Sequence, residues 1–205
     1  MTDYFKNKAS EWDSPMKVEM SVRFVDEMVR NVKFNKSVKA MDLGCGTGLV
    51  GLSILNEIKS LIMVDNSKAM IDKLKEKLEV IEQKNKATLK EKVKIINGSV
   101  DKYTAEDLDV VFSLMAIHHI ENIEALFERI SKILKPGGIL VIGDLYEEDG
   151  SFHGEEIVPH NGFNIEALSK QVEECDIDIV ATYTYNTIKK NDRDYDQFII
   201  VAKKI

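Results

Sequence analysis

The segment that most restricts the fold of this chain is Met41-Asp42-Leu43-Gly44-Cys45-Gly46-Thr47-Gly48, a glycine-rich turn between two apolar runs. Val38 to Leu43 ahead of it reads as a short buried strand. Leu49 to Ile58 behind it is apolar on most sides, as expected of a helix packed deep against a sheet. Strand, glycine turn and helix in that order make one βα unit, and the turn sits at the carboxyl end of the strand, where open α/β sheets hold ligands. Glycine is needed there because a side chain would hold a ligand away from the backbone.

The unit recurs along the chain. Leu61 to Val64 is a second strand, Ser67 a plausible N-cap, and Met70, Ile71, Leu74, Leu78 and Ile81 form one face of a long charged helix. Val93 to Ile96 and Asp109 to Leu114 are further strands, and Ile123, Leu126, Phe127, Ile130, Ile133 and Leu134 mark the helix that follows. Lys135-Pro136-Gly137-Gly138 ends that helix and leads into the strand Ile139 to Ile142. Asn161 to Cys175 reads as helical, with Asn164 as N-cap and Phe163 placed to touch Leu168. The β-rich stretches Ile177 to Ile188 and Tyr195 to Ala202 are joined by a polar loop too short for a crossover helix, so they pair antiparallel. Ahead of the first strand, Val18, Val22, Val25, Val29 and Val32 predict one apolar face of a helix over Ser14 to Val32, with Pro15 in its first turn. Five βα repeats closed by a hairpin give an α/β fold, a doubly wound open sheet of seven strands, mostly parallel with a C-terminal antiparallel strand.

Composition narrows the class. The 205 residues suit a single domain, and with 44% hydrophobic residues, 31% charged, 11 glycines and 3 prolines, long disordered tracts are not expected. The formal charge of −7 leaves little field to attract phosphate backbones or anionic lipid, so neither nucleic acid nor membrane is an expected partner. No apolar run approaches a bilayer span and Met1 to Tyr4 lack the order of a signal peptide, which predicts a cytoplasmic protein. Cys45 and Cys175 make neither a disulfide framework nor zinc spacing and fit a reducing compartment.

The glycine loop alone is ambiguous, because Gly46-Thr47-Gly48-Leu49-Val50-Gly51 also satisfies G-x-G-x-x-G, with Asp65 at the spacing of a ribose partner. Asp42 discriminates. A carboxylate just before the first glycine repels a pyrophosphate and attracts a cationic amino group. S-adenosylmethionine carries an ammonium and a sulfonium and no phosphate, so the charge pattern favours it over NAD. Asp65 fits either cofactor.

These residues resemble the class I methyltransferase family: "MDLGCGTG" is similar to its first motif and "IMVDNSKAM" to its second. The resemblance continues through "DVVFSLMAIHHI" and "ISKILKPGGILVIGDL", and so spans roughly Ala40 to Leu145. It implies S-adenosylmethionine as cofactor, with Asp42 near the methionine amino group, Gly44, Cys45 and Gly46 along the carboxypropyl arm, and Asp65 on the ribose. Asn66 and Met70 would flank the adenine. Ser99 stands where the family commonly has an acid for the adenine amine, and its hydroxyl or the Val100 amide would take that place without charge assistance. Gly48 and Leu114 complete the expected cofactor set. The N-terminal "YFKNKASEWD" is similar to the lid of small-molecule members, with Tyr4, Phe5 and Trp12 either closing over the ligands or packing on the sheet edge. The expected layout is a lid over residues 1–36, a cofactor-binding core over 37–145, and a substrate-side loop, helix and hairpin over 146–205.

Methyl transfer from a sulfonium is an in-line displacement for which no general acid is obligatory. A base is needed only where the acceptor must lose a proton, and His118 and His119, after the fourth strand, are the candidate catalytic residues. The loop from Asp144 to His153, continuing to His160, is expected to supply contacts to a small-molecule acceptor. Its acids and histidines show no tight metal-ligand pair, so no metal is expected. Two other readings stay open, an NAD-dependent oxidoreductase and a non-catalytic S-adenosylmethionine-binding regulator. Monomer and homodimer are both compatible with the sequence.

Overall fold

The structure, a computed structural model, describes Ala9, residues 12–86 and residues 88–205. Helix α1 (Pro15–Asn31) precedes β1 (Lys39–Leu43), α2 (Leu49–Ile54), β2 (Ser60–Asp65), α3 (Lys68–Asn85), β3 (Val93–Asn97) and β4 (Leu108–Leu114). Then come α4 (Ile123–Ile133), β5 (Leu134–Leu145), α5 (Ile165–Glu173), β6 (Ile177–Lys190) and β7 (Arg193–Lys204). The strands form one seven-stranded sheet in the order β3-β2-β1-β4-β5-β7-β6. Pairing is parallel from β3 to β5, while β7 runs antiparallel to both β5 and β6. This is the Rossmann-like sheet expected, and it fixes where a ligand sits. The chain winds outward from β1 to β3 and then returns to β4, so a crevice opens beyond the carboxyl ends of β1 and β4.

Burial on both faces explains why the central strands are almost continuously apolar. Met41, Ile62, Val64 and Val111 point to one side, under Leu126, Phe127 and Ile130 of α4 and Leu168 and Val172 of α5. Ala40, Leu61, Met63, Val110 and Phe112 point to the other, under α1, Val50 and Ile54 of α2, and Ile71 and Leu74 of α3. Each fully buried Leu, Ile or Phe adds roughly 1.5–3 kcal/mol. Capping follows the sequence: Ser67, Asn122 and Asn164 each accept a backbone N–H from the first turn of α3, α4 and α5. Phe163 and Leu168 are both buried in one cluster, as the staple requires.

Several boundaries differ from the sequence reading. The valine stripe of α1 is not its buried face: Phe24 and Met28 are buried, while Val22 is 54% and Val29 49% exposed. Both faces carry three-and-four spacing, and aromatic packing decides between them. A side chain at Gly143 on β5 would lie 2.7 Å from the Phe24 ring, so the glycine makes the room that Phe24 fills. Phe24 also meets Tyr185 edge to face at 6.0 Å. Helix α2 is shorter than expected, tightening at Leu55–Glu57 into a 3-10 turn. The third repeat has no α-helix, only the 3-10 turn Val100–Lys102 between β3 and β4. Strand β5 starts at Leu134 rather than Ile139, because a register shift against β4 absorbs Lys135 to Gly138. Helix α5 begins only at Ile165, where the Asn164 cap places its start. The polar loop of the hairpin closes to Asn191-Asp192, both with positive φ, 52° and 59°, so the ladder continues to Lys190↔Arg193. Two successive positive-φ residues match the right-handed twist of the strands they join.

Candidate active site

A cavity of about 610 Å³ opens beyond β1 and β4, in the size range of cofactor and small-molecule sites. Its lining includes Asp42, Gly44, Cys45 and Gly46 from the glycine loop, and Asp65, Asn66 and Met70 from the end of β2 and start of α3. Ser99, Val100, Leu114, His118 and His119 line it too. Gly48 does not. It caps α2 with φ 86°, and a side chain there would strike Leu74 at 2.7 Å, so it shapes the turn without touching the cavity. Gly44 has φ 71°, and a Cβ on it would sit 2.2 Å from the Ala116 Cβ, so the β1 and β4 loops approach as closely as backbone allows.

The two acids differ in environment. Asp42 is 3% exposed and its Oδ2 accepts the Gly51 N–H of α2 at 2.9 Å. Burial, with the charge of Asp65 adding to it, raises its pKa to about 7 despite that hydrogen bond. One of its oxygens therefore anchors the start of α2. The carboxylate of Asp65 is aimed by two backbone donors: Oδ2 accepts from Gly46 at 2.8 Å and Oδ1 from Ser67 at 2.8 Å. Ser99 donates to Asp101 Oδ2 at 2.8 Å, and Asp101 itself lines the cavity, an acid two residues beyond the expected position. Arg129 of α4 reaches the same end, hydrogen-bonded to the Tyr103 carbonyl and with its Nε buried and unpartnered. Neither Asp101 nor Arg129 stands in a motif, and only their spatial convergence reveals them.

Cys45 is buried, and desolvation together with Asp42 and Asp65 pushes its thiol well above the usual range, so it is an inert lining residue. Trp12 lies over the glycine loop, where a side chain at Gly46 would come within 3.5 Å of its Nε1. Asp13 accepts from Thr47 Oγ1 at 2.5 Å and pairs with Lys77 of α3 at 2.5 Å, while Lys77 also donates to the Thr47 carbonyl. The chain ahead of α1 is thus strapped to the loop it covers. Tyr4 and Phe5 lie outside the described residues.

The far end of the cavity is built from imidazoles. His118 is 1% exposed, and its Nδ1 lies 2.6 Å from Oδ1 of Asp144, itself fully buried at the end of β5. Asp144 also accepts the backbone N–H of Leu145 at 2.8 Å and that of His118 at 3.4 Å. Burial pushes the His118 imidazole toward neutrality, but Asp144, with Glu156 and Glu148, outweighs it and the pKa rises. His119 goes the other way: burial and the neighbouring His118 lower it to about 4. The loop after β5 contributes Phe152, His153 and Glu156 to the lining. Ring centroids of His118 and His153 are 4.8 Å apart, and His153 Nε2 is buried with no partner. Among the described residues, no group of three His, Cys, Asp or Glu side chains is arranged to hold a metal ion.

A family model described as a methyltransferase domain matches residues 41–142, the stretch from β1 through β5 that builds this cavity. The chain belongs to the class I S-adenosylmethionine-dependent methyltransferase family. Among its relatives, the chain is 28% identical over 151 residues to an uncharacterized methyltransferase of Schizosaccharomyces pombe, covering 68% of the present chain and 53% of the relative. It is 25% identical over 140 residues to (S)-coclaurine N-methyltransferase of Papaver somniferum, covering 68% and 38%. The chain thus spans about half the length, or less, of these curated relatives. The fold is shared with a SAM-dependent methyltransferase from Aquifex aeolicus, at a TM-score of 0.72 and 16% identity over 98% of each chain. S-adenosylmethionine is the cofactor of this family, and the site fits it: the glycine turn brings backbone against the cavity, and Asp65 is preset by two N–H donors.

Proposed function

We propose that this methyltransferase moves the methyl group of S-adenosylmethionine to a small-molecule acceptor held at the imidazole end of the cavity. The observation that supports this reading is continuity: one cavity runs from Asp65 and the glycine turn to His118 and His119, beneath Trp12, Met16 and Met20. The cofactor would lie along Asp42, Gly44, Cys45 and Gly46, with its ribose on Asp65 and its adenine between Asn66, Met70, Ser99 and Val100. A methyl carbon activated by sulfonium needs little beyond alignment and exclusion of water. The apolar walls of Leu114, Met115 and Phe152 serve both needs. Where the acceptor must lose a proton, His118 or His119 receives it. The segment before α1, strapped by Asp13 to Thr47 and Lys77, is the lid that closes the site.

The strap and the loop after β5 roof the cavity from two sides, which favours a small acceptor over a folded macromolecule. Methyl-labelled S-adenosylmethionine offered with pooled small metabolites, with folded protein and with RNA tests this. Label in the small-molecule fraction is expected. Label confined to protein or RNA contradicts the acceptor class, and cofactor binding without transfer to any fraction supports the regulatory reading instead.

A further inference from the structure

We propose that Asp144 and His118 form a proton-taking dyad at the acceptor end, and that the acceptor is therefore a protic molecule, an alcohol, phenol or amine that loses O–H or N–H as it is methylated. This deepens the small-molecule reading above and rests on it.

The geometry begins with Asp144. It is fully buried at the carboxyl end of β5, within 2.6 Å of His118 Nδ1. A fully buried carboxylate retained against its desolvation cost needs partners, and it has the backbone N–H groups of Leu145 and His118 besides the ring. Since a carboxylate accepts, the ring proton is placed on Nδ1, which leaves the lone pair of Nε2 for the cavity that His118 lines. The Nδ1 of His119 stands 4.0 Å from Glu156, a longer approach than the 2.6 Å of His118 to Asp144. Of the two adjacent histidines, His118 is the one whose Nδ1 is held by a fully buried acid, Asp144.

An independent observation indicates a ligand with more than one polar group. His153 Nε2 is buried without a partner, its side chain 5% exposed, on the same cavity and one ring's width from His118. An orphaned buried nitrogen is costly unless something hydrogen-bonds to it in the working state. A protic acceptor that donates to His118 Nε2 and meets His153 Nε2 with a second polar atom satisfies both. In the reaction, the oxygen or nitrogen lone pair forms the new bond to the methyl carbon as the carbon–sulfur bond breaks and its electron pair returns to sulfur, leaving a neutral thioether. The acceptor proton passes to His118 Nε2, and the imidazolium so formed faces Asp144. Asp144 is a positioning residue, acting through His118.

The groups acting on His118 are Asp144 from β5, Glu148, His153 and Glu156 from the loop after it, and His119 from its own turn, while Lys190 of β6 also lines the cavity. The test has two arms on the full chain saturated with S-adenosylhomocysteine or methyl-labelled S-adenosylmethionine. In the first, nitrogen-15 spectra of labelled histidines should show His118 protonated at Nδ1 and bare at Nε2. Asp144→Asn should lose that preference while S-adenosylhomocysteine affinity changes less than about threefold, which also shows that the variant folds. In the second, label transfer is followed to catechol, benzylamine and N,N-dimethylbenzylamine as probes. Transfer to a protic probe should fall at least about 100-fold in Asp144→Asn and in His118→Gln, the scale of general-base catalysis. The acidic limb of the Asp144→Asn profile should move to lower pH, because the carboxylate that favours protonated His118 is gone. His118 protonated at Nε2 in the wild type, or undiminished transfer to a protic probe in both variants, overturns the dyad while leaving methyl transfer in place. Bound S-adenosylhomocysteine with no transfer to any probe overturns the small-molecule reading itself, and the dyad with it.

Discussion

The two ends of the cavity are made of different materials. The cofactor end is backbone: a glycine turn after β1, the aligned N–H groups of Gly46 and Ser67, and a carboxylate they hold, all within one βαβ unit. The end we assign to the acceptor is side chain: imidazoles from the turn after β4, a buried acid from β5, and a ring from the loop beyond it. Backbone construction tolerates almost no change in shape, whereas side-chain construction can be re-equipped residue by residue. One cofactor and many acceptors is the division of labour this allows.

The sharpest test of the contrast is Gly44→Ala. A Cβ at φ 71°, 2.2 Å from Ala116, displaces the turn, and cofactor affinity by calorimetry should drop about 100-fold or more, with Ala116→Gly restoring only part because the φ strain remains. Unchanged affinity would show that the turn is not backbone-limited.

A second effect comes from Asp42. With its pKa raised to about 7, it is protonated at low pH, and the cofactor ammonium must drive the proton off to gain a carboxylate partner. Affinity should therefore rise about tenfold from pH 6 to pH 8, with proton release visible as a dependence of binding heat on buffer. In the free protein the sign is opposite: the raised pKa stabilises the fold at low pH, and that contribution is lost as pH rises through 7. A flat affinity profile would separate Asp42 from the cofactor and leave it as a helix anchor.

At the acceptor end, His153→Leu removes an orphaned buried nitrogen, so stability measured by denaturant should rise by about 1 kcal/mol while S-adenosylhomocysteine affinity stays within about threefold. A loss of stability would mean the nitrogen has a partner. The smallest effect belongs to the strap. Asp13→Ala breaks a half-exposed ion pair and one hydroxyl contact, and should speed cofactor release about threefold in stopped flow. No change would detach the strap from cofactor exit.

Legibility followed the same division. The glycine turn, Asp65 and the caps Ser67 and Asn164 were readable because each is a local signal, settled within a few residues of chain. The roll of α1 was not: two faces with helical spacing compete, and the choice depends on the space Gly143 leaves for Phe24, far away in sequence. The hairpin turn reads as a longer loop from sequence because Asn191-Asp192 holds no glycine, although both residues adopt the positive φ that glycine favours. At the site, "HH" named His118 and His119 but gave no means to tell them apart. The difference lies in Asp144, on another strand, which only the pairing of β4 with β5 brings into reach. Likewise Asp101 and Arg129 join the cavity lining through the fold alone.

We assign Asp65 and the glycine turn to an S-adenosylmethionine site. Calorimetric titration of wild type and Asp65→Ala with S-adenosylmethionine, S-adenosylhomocysteine and NAD tests it most directly. Both adenosyl ligands should bind wild type, NAD should not, and the variant should lose about tenfold to 100-fold in affinity, the scale of charge-assisted hydrogen bonds. Binding of NAD alone, or adenosyl affinity untouched by Asp65→Ala, would contradict it.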